Sequence, residues 1–285
     1  MSKDGNSNLE KGFVDAIAFA SSHYENFPVV SLFIQKRLRK HVAVIYRFAR
    51  QADDIADEGD LAPTERINLL SNYLQTFEEM LKGNFENDFW FALFSTINEF
   101  HLKHENFRNL ISAFNQDIIK KRYDSYEELT DYCRRSANPI GRLILELHGI
   151  KEERILNLSD AICTGLQLTN FYQDTSIDFR NGRIYFPIDE LQKFNVHENT
   201  FELSENNINF TRLMEYQVHR NFELYTKGKE IIKYLPPRLA RQISWTIAGG
   251  EMILNKIINS NYDVLNKRPV ISKTEFFLMM IKNIF

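Results

Sequence analysis

The stretch "RFARQADDIADEGD", residues 47–60, sets Asp53, Asp54 and Asp57 just behind Arg50 and the apolar run "HVAVIYRFA". Read as a helix, it stacks Asp53 and Asp57 on one face, with Asp54 about a third of a turn away. Like charges at that spacing destabilise an isolated helix. A bound metal ion would compensate them; the bland alternative is the solvated acidic end of a helix. A second stretch, "LQLTNFYQDTSIDFRNGRIYFP" (166–187), adds Asn170, Asp174 and Asp178 at i, i+4 and i+8, one polar stripe on an otherwise apolar helix. All these side chains are oxygen donors, and neither stripe carries His or Cys. Hard ligands of this kind select Mg²⁺, which is held by a few carboxylates together with phosphate oxygens. Arg50, Arg180 and Arg183 lie close to the stripes in sequence, and a guanidinium matches phosphate oxygens bidentately. The chemistry expected is metal-assisted binding of a diphosphate between two facing stripes.

Such stripes need helices to hold them, and the chain supplies helical periodicity nearly throughout. In "TERINLLSNYLQTFEEMLKG" the apolar positions 67, 70, 74, 77 and 81 follow one helix face, and Gly83 is placed to end it. Ser125 with Glu128, and Ser272 with Glu275, have capping-box spacing. Residues 41–58 and 158–180 read as long buried helices, 181–209 as loop plus a short helix, and 1–10 as disordered. With no repeat, no low-complexity segment and no Gly/Ser/Pro-rich linker, one all-α domain over 1–285 is the economical reading.

The totals exclude other classes. Eleven glycines and seven prolines in 285 residues are few for a turn-rich β fold. A formal net charge of −3 argues against general nucleic-acid binding. Cys133 and Cys163 fall in helical pattern and suit a reducing compartment. "MSKDGNSNLEKG" lacks a signal layout, and no apolar run is long enough to span a bilayer, so a cytosolic location is expected.

Three motifs, in order, resemble the squalene/phytoene synthase family of head-to-head prenyl synthases. "YRFARQADDIADEGD" is similar to the family's first aspartate motif, including Tyr46 and Arg50. "QLTNFYQDTSIDFRNGRIYFP" is similar to its second, with the lead Gln167 and Asn170 and the trailing Gly182, Arg183, Tyr185 and Pro187. Between them "YCRRSANPIG" stands where the family carries Tyr-Cys-x-x-Val-Ala-Gly-x-Val-Gly. The substituted run Ser136-Ala137-Asn138-Pro139-Ile140-Gly141 most resembles the bacterial hydroxysqualene synthase branch. The resemblance covers about residues 25–190.

The resemblance implies a helical isoprenoid-synthase bundle with a central apolar pocket. It implies Mg²⁺ (with Mn²⁺ able to substitute) on Asp53, Asp54, Asp57, Asn170, Asp174 and Asp178, and diphosphate held by Arg50, Arg180, Arg183 and Tyr185. On this reading presqualene diphosphate ionises to a cyclopropylcarbinyl cation, which rearranges and is trapped by water as hydroxysqualene, on the way to hopanoids. NADPH is not expected, and no glycine-rich dinucleotide fingerprint is visible. Functional links to a presqualene diphosphate synthase and a squalene-forming oxidoreductase follow. Tyr46, Phe48 and Tyr172 are candidates for cation stabilisation by ring faces, or else for packing. Tyr46, Arg50, Asn138, Gln167 and Tyr172 complete the candidate catalytic set. Pro139 is expected to kink its helix, and Asn138 either helps place the quenching water or satisfies the freed backbone. The alternative activities are squalene, dehydrosqualene or phytoene synthesis from two prenyl diphosphates, or a non-catalytic assembly role.

Weaker features stay open. Asp117, Lys121 and Arg122, and likewise Arg134 and Arg135, suit either diphosphate or a solvated helix end. His41 and His148 read as structural. The tail "EFFLMMIKNIF" suits a closing core helix or peripheral contact at the inner face of a membrane.

Overall fold

The predicted helical periodicity is realised as a succession of helices. The structure, a computed structural model, describes residues 3–22 and 34–282. In chain order the helices are α1 (Lys3–Ser22), α2 (Arg39–Asp57), α3 (Pro63–Leu81), α4 (Asp88–Phe100), α5 (His104–Ile119), α6 (Tyr126–Ser136) and α7 (Asn138–Leu147). They continue with α8 (Glu153–Gln173), α9 (Thr175–Arg180), α10 (Ile188–Lys193), α11 (Glu198–Glu202), α12 (Ile208–Lys229), α13 (Pro237–Asn259) and α14 (Lys273–Lys282). No strand occurs among the described residues, so the fold class is all-α. The chain divides into two compact units, Met1–Ile119 with Pro139–Glu152, and Lys120–Asn138 with Glu153–Phe285.

In the first unit the apolar face of α2 (Val42, Ile45, Phe48, Ala52) packs among α1, α3, α4 and α5. Helix α1 starts at Lys3, inside the stretch whose polar composition suggests disorder, and its Leu9, Phe13 and Ala16 join this core. Gly12 permits that docking, because a Cβ there would lie 2.1 Å from the Asp88 carbonyl oxygen at the start of α4. Helix α3 runs over the predicted stretch, and Gly83 follows it with φ +93, a conformation glycine adopts without a Cβ penalty. Arg66, 9% exposed, reaches from α3 to the end of α2 and donates to the carbonyls of Ile55 (2.9 Å), Glu58 (3.0 Å), Gly59 (2.5 Å) and Leu61 (3.2 Å). A cation at these C-terminal carbonyls satisfies orphan acceptors and opposes the helix dipole, so it fixes the end that carries the aspartates. Glu146, 1% exposed, does the converse for α5: its carboxylate accepts from the Lys103 N–H (2.9 Å) and the Asn106 amide (3.2 Å).

His41 is structural, as its sequence context suggests. Its Nδ1 lies 2.9 Å from Thr96 Oγ1, and its ring meets Phe13 and Phe100 edge-on. Burial, with the Lys40 charge adding to it, pulls the imidazole from 6.5 to about 4. Glu99 stands 3.8 Å from Nε2 but is exposed, and solvent screens it. The folded state therefore resists protonation that the unfolded chain accepts near 6.5. The stabilisation is complete above that pH and is lost as pH falls towards 4, by up to about 3 kcal/mol. Urea unfolding at pH 7 and pH 4.5 should show this loss, and His41→Gln should flatten it. An unchanged pH slope in that variant would refute the assignment.

In the second unit α12 lies along α8, with α13 against both. Leu156, Leu168, Leu213, Met214 and Leu254 fill the contact. Tyr225 is wholly buried there; its hydroxyl lies 2.8 Å from Thr169 Oγ1, and Gly250 leaves it room, since a Cβ would come within 2.1 Å of that hydroxyl. The expected long helix over 158–180 is instead two, because the backbone turns at Asp174 (φ −99, ψ 11). Residues 181–209 hold two short helices, α10 and α11, rather than one. Ser125 caps α6 by accepting from the Glu128 N–H, while Glu128 accepts from Asp124 rather than Ser125, so that box is half formed. Ser272 and Glu275 form theirs in full. Helix α14 is tied to α13 by Lys256 and Glu275 at 2.6 Å, with Met279 buried and Phe277 and Leu278 exposed. Among the described residues, no helix is long and apolar enough to cross a membrane.

Candidate active site

The first acidic stripe ends α2, and Arg50 holds it together. Its Nη1 donates to Asp53 Oδ2 at 3.2 Å, its Nε lies 2.6 Å from Asp54 Oδ1, and its Nη2 donates to Glu58 Oε1 at 2.5 Å. Burial opposes the charge on this guanidinium, but attraction from Asp54, Asp53 and Glu58 outweighs it and raises its pKa. Like-charge repulsion along the helix is thus relieved by an arginine from within the motif. Asp57 is exposed one turn on. Tyr46, half-buried, packs on the first unit's core; burial chiefly raises its pKa, with the nearby aspartates adding. Phe48 does not belong to this group. It is wholly buried and meets Tyr73, Phe77, Trp90 and Phe107 at ring-centroid distances of 5.1–6.1 Å, so it serves packing.

The second stripe crosses the break between α8 and α9. Asn170 is exposed, Gln167 is half-buried, and the Asn170 carbonyl accepts from the Asp174 N–H at 2.9 Å, which keeps helical register into the break. The Asp174 carbonyl in turn accepts from the Asp178 N–H at 2.8 Å. Asp174 is paired with Arg268, whose Nε donates to Oδ1 at 2.5 Å. Beside it, the Gln173 amide donates to the Pro269 carbonyl at 2.6 Å. The segment before α14 is therefore fastened to the second stripe. Sequence reasoning missed Arg268; the basic run "NKRP" was the available signal, but nothing local ties it to an aspartate 94 positions earlier.

The trailing segment is built around aromatic rings. Tyr185 stacks on Phe171 with centroids 3.6 Å apart and planes at 5°, and Tyr123 and Tyr132 complete the cluster. Arg183 and Asp178 line a small cavity beneath it with Thr175 and Tyr185. Arg180 is exposed and donates to the Ser176 carbonyl of its own helix at 3.1 Å. Arg122 braces the turn from the other side, donating to the Gly182 carbonyl at 2.6 Å and pairing with Glu198. Arg134 and Arg135 pair with Asp131 within α6, at 2.9 and 3.0 Å.

Two candidates stand in other surroundings. Tyr172, 1% exposed, donates its hydroxyl to Gln217 Oε1 at 3.0 Å, and burial drives its pKa up. It follows Asn170 by two residues, about 200° around the helix, so it faces the core rather than the stripe. Asn138 is buried at the start of α7, and its Oδ1 accepts from Thr164 Oγ1 at 3.0 Å, so that acceptor is committed to α8. The kink expected at Pro139 is instead a break between two helices at Ala137, and Pro139 falls in the first turn of α7, which tolerates its missing N–H.

The donor set bears on the metal. Among the described residues, no group of three or more His, Cys, Asp or Glu is placed to hold an ion alone. Mg²⁺ is usually bound by one or two carboxylates plus substrate phosphates, and Asp53, Asp54 and Asp174, paired with the phosphate-matching Arg50 and Arg268, fit that mode.

The model of the squalene/phytoene synthase family matches residues 20–275. The chain belongs to the squalene/phytoene synthase family. It is an isoprenoid synthase of that type. A hydroxysqualene synthase of Sinorhizobium fredii is 39% identical over 169 residues, 59% of this chain and 56% of that protein. The one from Rhodopseudomonas palustris is 30% identical over 257 residues, 89% of this chain and 86% of its own length. Among solved structures, the squalene synthase HpnC of Alicyclobacillus acidocaldarius superposes with a TM-score of 0.85 at 37% identity, covering 89% of this chain and 95% of that one.

Proposed function

We propose that this squalene/phytoene synthase converts presqualene diphosphate to hydroxysqualene, releasing diphosphate, in a Mg²⁺-dependent reaction in which water supplies the hydroxyl. One observation carries the reading of the site: carboxylates suited to Mg²⁺ are held by guanidinium groups suited to phosphate, Arg50 on Asp53 and Asp54, and Arg268 on Asp174. Bound Mg²⁺ would neutralise diphosphate oxygens and improve the leaving group. Arg50 in the first unit and Arg268 in the second would each turn from its carboxylates to phosphate oxygens, and Gln167 and Asn170 of the second stripe would offer amide N–H groups. The activity named for the Sinorhizobium and Rhodopseudomonas relatives supports the finer choice of reaction. An enzyme forming presqualene diphosphate would supply the substrate, and an oxidoreductase forming squalene would consume the product.

Mass spectrometry of products tests this. With presqualene diphosphate and Mg²⁺ the expected product is hydroxysqualene, and with farnesyl diphosphate alone none is expected. A chelator should abolish turnover. Hydrocarbon formed from farnesyl diphosphate alone would replace the proposal with head-to-head condensation, and full turnover without metal would refute the diphosphate site.

A further inference from the structure

A separate cleft of about 370 Å³ opens in the first unit between α2, α3 and the start of α4. Two α2 residues face it one turn apart, Arg47 and Gln51, on a different side of the helix from the Arg50 and Asp53 stripe. Each carries a buried polar atom with no hydrogen-bond partner, a donor at Arg47 Nε and an acceptor at Gln51 Oε1. Such orphans are uncommon in folded proteins and costly unless something outside the chain satisfies them. The Arg47 guanidinium lies over the Phe89 ring at 4.6 Å and over Phe19 at 5.4 Å, which fixes its plane. Asp15 attracts it from α1, yet no ion pair with Arg47 occurs among the described residues, and burial works against the charge. Across the cleft, Thr76 Oγ1 donates to Glu86 Oε1 at 3.0 Å and so orders a carboxylate there. Tyr73 and Trp90 supply aromatic walls.

These groups define a polarised ligand. A guanidinium with a free in-plane N–H calls for a phosphate or carboxylate, with phosphate matching its fork. An orphan amide oxygen calls for a donor next to that anion. An ordered carboxylate on the far wall repels a second anion and accepts another hydroxyl. We propose that this cleft binds a phosphate ester of a small polyol, phosphate on Arg47 and hydroxyls on Gln51 and Glu86. The volume suits a small molecule. The same glycerol-phosphate chemistry is presented by free sn-glycerol 3-phosphate and by a phosphatidylglycerol headgroup.

Calorimetric titration of the full chain with sn-glycerol 3-phosphate, in chelator to silence the metal-dependent site, tests the proposal. Sedimentation with phosphatidylglycerol vesicles, against phosphatidylcholine vesicles, separates the lipid source from the free one. Saturable binding to one of these probes is expected. It should weaken at least about tenfold in Arg47→Met and severalfold in Gln51→Leu, and stay unchanged in Arg268→Gln. Circular dichroism establishes that each variant is folded, and Arg47→Lys, which keeps charge without the fork, should lie between wild type and Arg47→Met. Binding equal in Arg47→Met and wild type would overturn the proposal, as would no binding of either probe to the wild-type chain.

Discussion

Asp174→Asn is expected to cut turnover of presqualene diphosphate about 10³-fold while moving the melting temperature by no more than a few degrees. The two effects separate because of where Asp174 sits. Its side chain is 17% exposed and its partner Arg268 is 43% exposed, so solvent screens the pair and its loss costs under about 1 kcal/mol. Asparagine keeps the shape at the head of α9, where the Asp174 side chain makes no capping bond to be lost. What asparagine cannot supply is the anionic oxygen that a hard cation requires. Asp53→Asn should behave alike, since Arg50 retains Asp54 and Glu58 as partners. Turnover by mass spectrometry beside thermal melting in metal-free buffer decides it. A collapse in melting temperature with turnover retained would make these aspartates structural.

The acidic stripes were legible in the sequence because their chemistry is local. Residues three and four apart on a helix share a face whatever the rest of the chain does, so the Asp53–Asp57 and Asn170–Asp174–Asp178 spacings could be read directly. The same arithmetic places Phe48 and Tyr172 about 200° from Tyr46 and Asn170, and both are indeed buried in the core. What holds the stripes was not legible, because it comes from far along the chain. Arg66 meets the end of α2 and Arg268 meets Asp174 only once the helices have packed. The break at Asp174 was also hidden: no proline or glycine marks it, and the periodicity of α8 continues unbroken into α9.

Glu190→Ala is expected to cost about 3–5 kcal/mol, the largest stability loss of any single change considered, because it strands a buried cation. Arg220 donates from Nη1 to Glu190 Oε1 (2.5 Å) and from Nη2 to Oε2 (3.0 Å), and its guanidinium lies 3.4 Å from the centre of the Tyr126 ring. The Gln217 amide donates to Glu190 Oε2 at 2.6 Å, while Gln217 Oε1 accepts from both Tyr172 (3.0 Å) and Arg220 (2.5 Å). Burial opposes the Arg220 charge, and the Glu190 carboxylate more than restores it. Removing that carboxylate leaves the guanidinium without its counter-charge and the Gln217 amide without its acceptor inside the second unit. At about 2–4 °C per kcal/mol, the melting temperature should fall by roughly 10 °C. Glu190→Gln should cost less, since one acceptor oxygen remains. The apolar pair Glu190→Leu with Arg220→Met should recover much of the loss, because removing both charges also removes their desolvation penalty. Glu190 also lies in the first turn of α10, which follows the Gly182–Pro187 segment that carries Arg183 and Tyr185. Loosening it should therefore lower turnover even below the melting transition, with the Arg268–Asp174 pair untouched. If the alanine variant melts within a degree or two of wild type, the network contributes little to folding. Any loss of activity in that variant would then have to come from a direct contact of Glu190 with substrate.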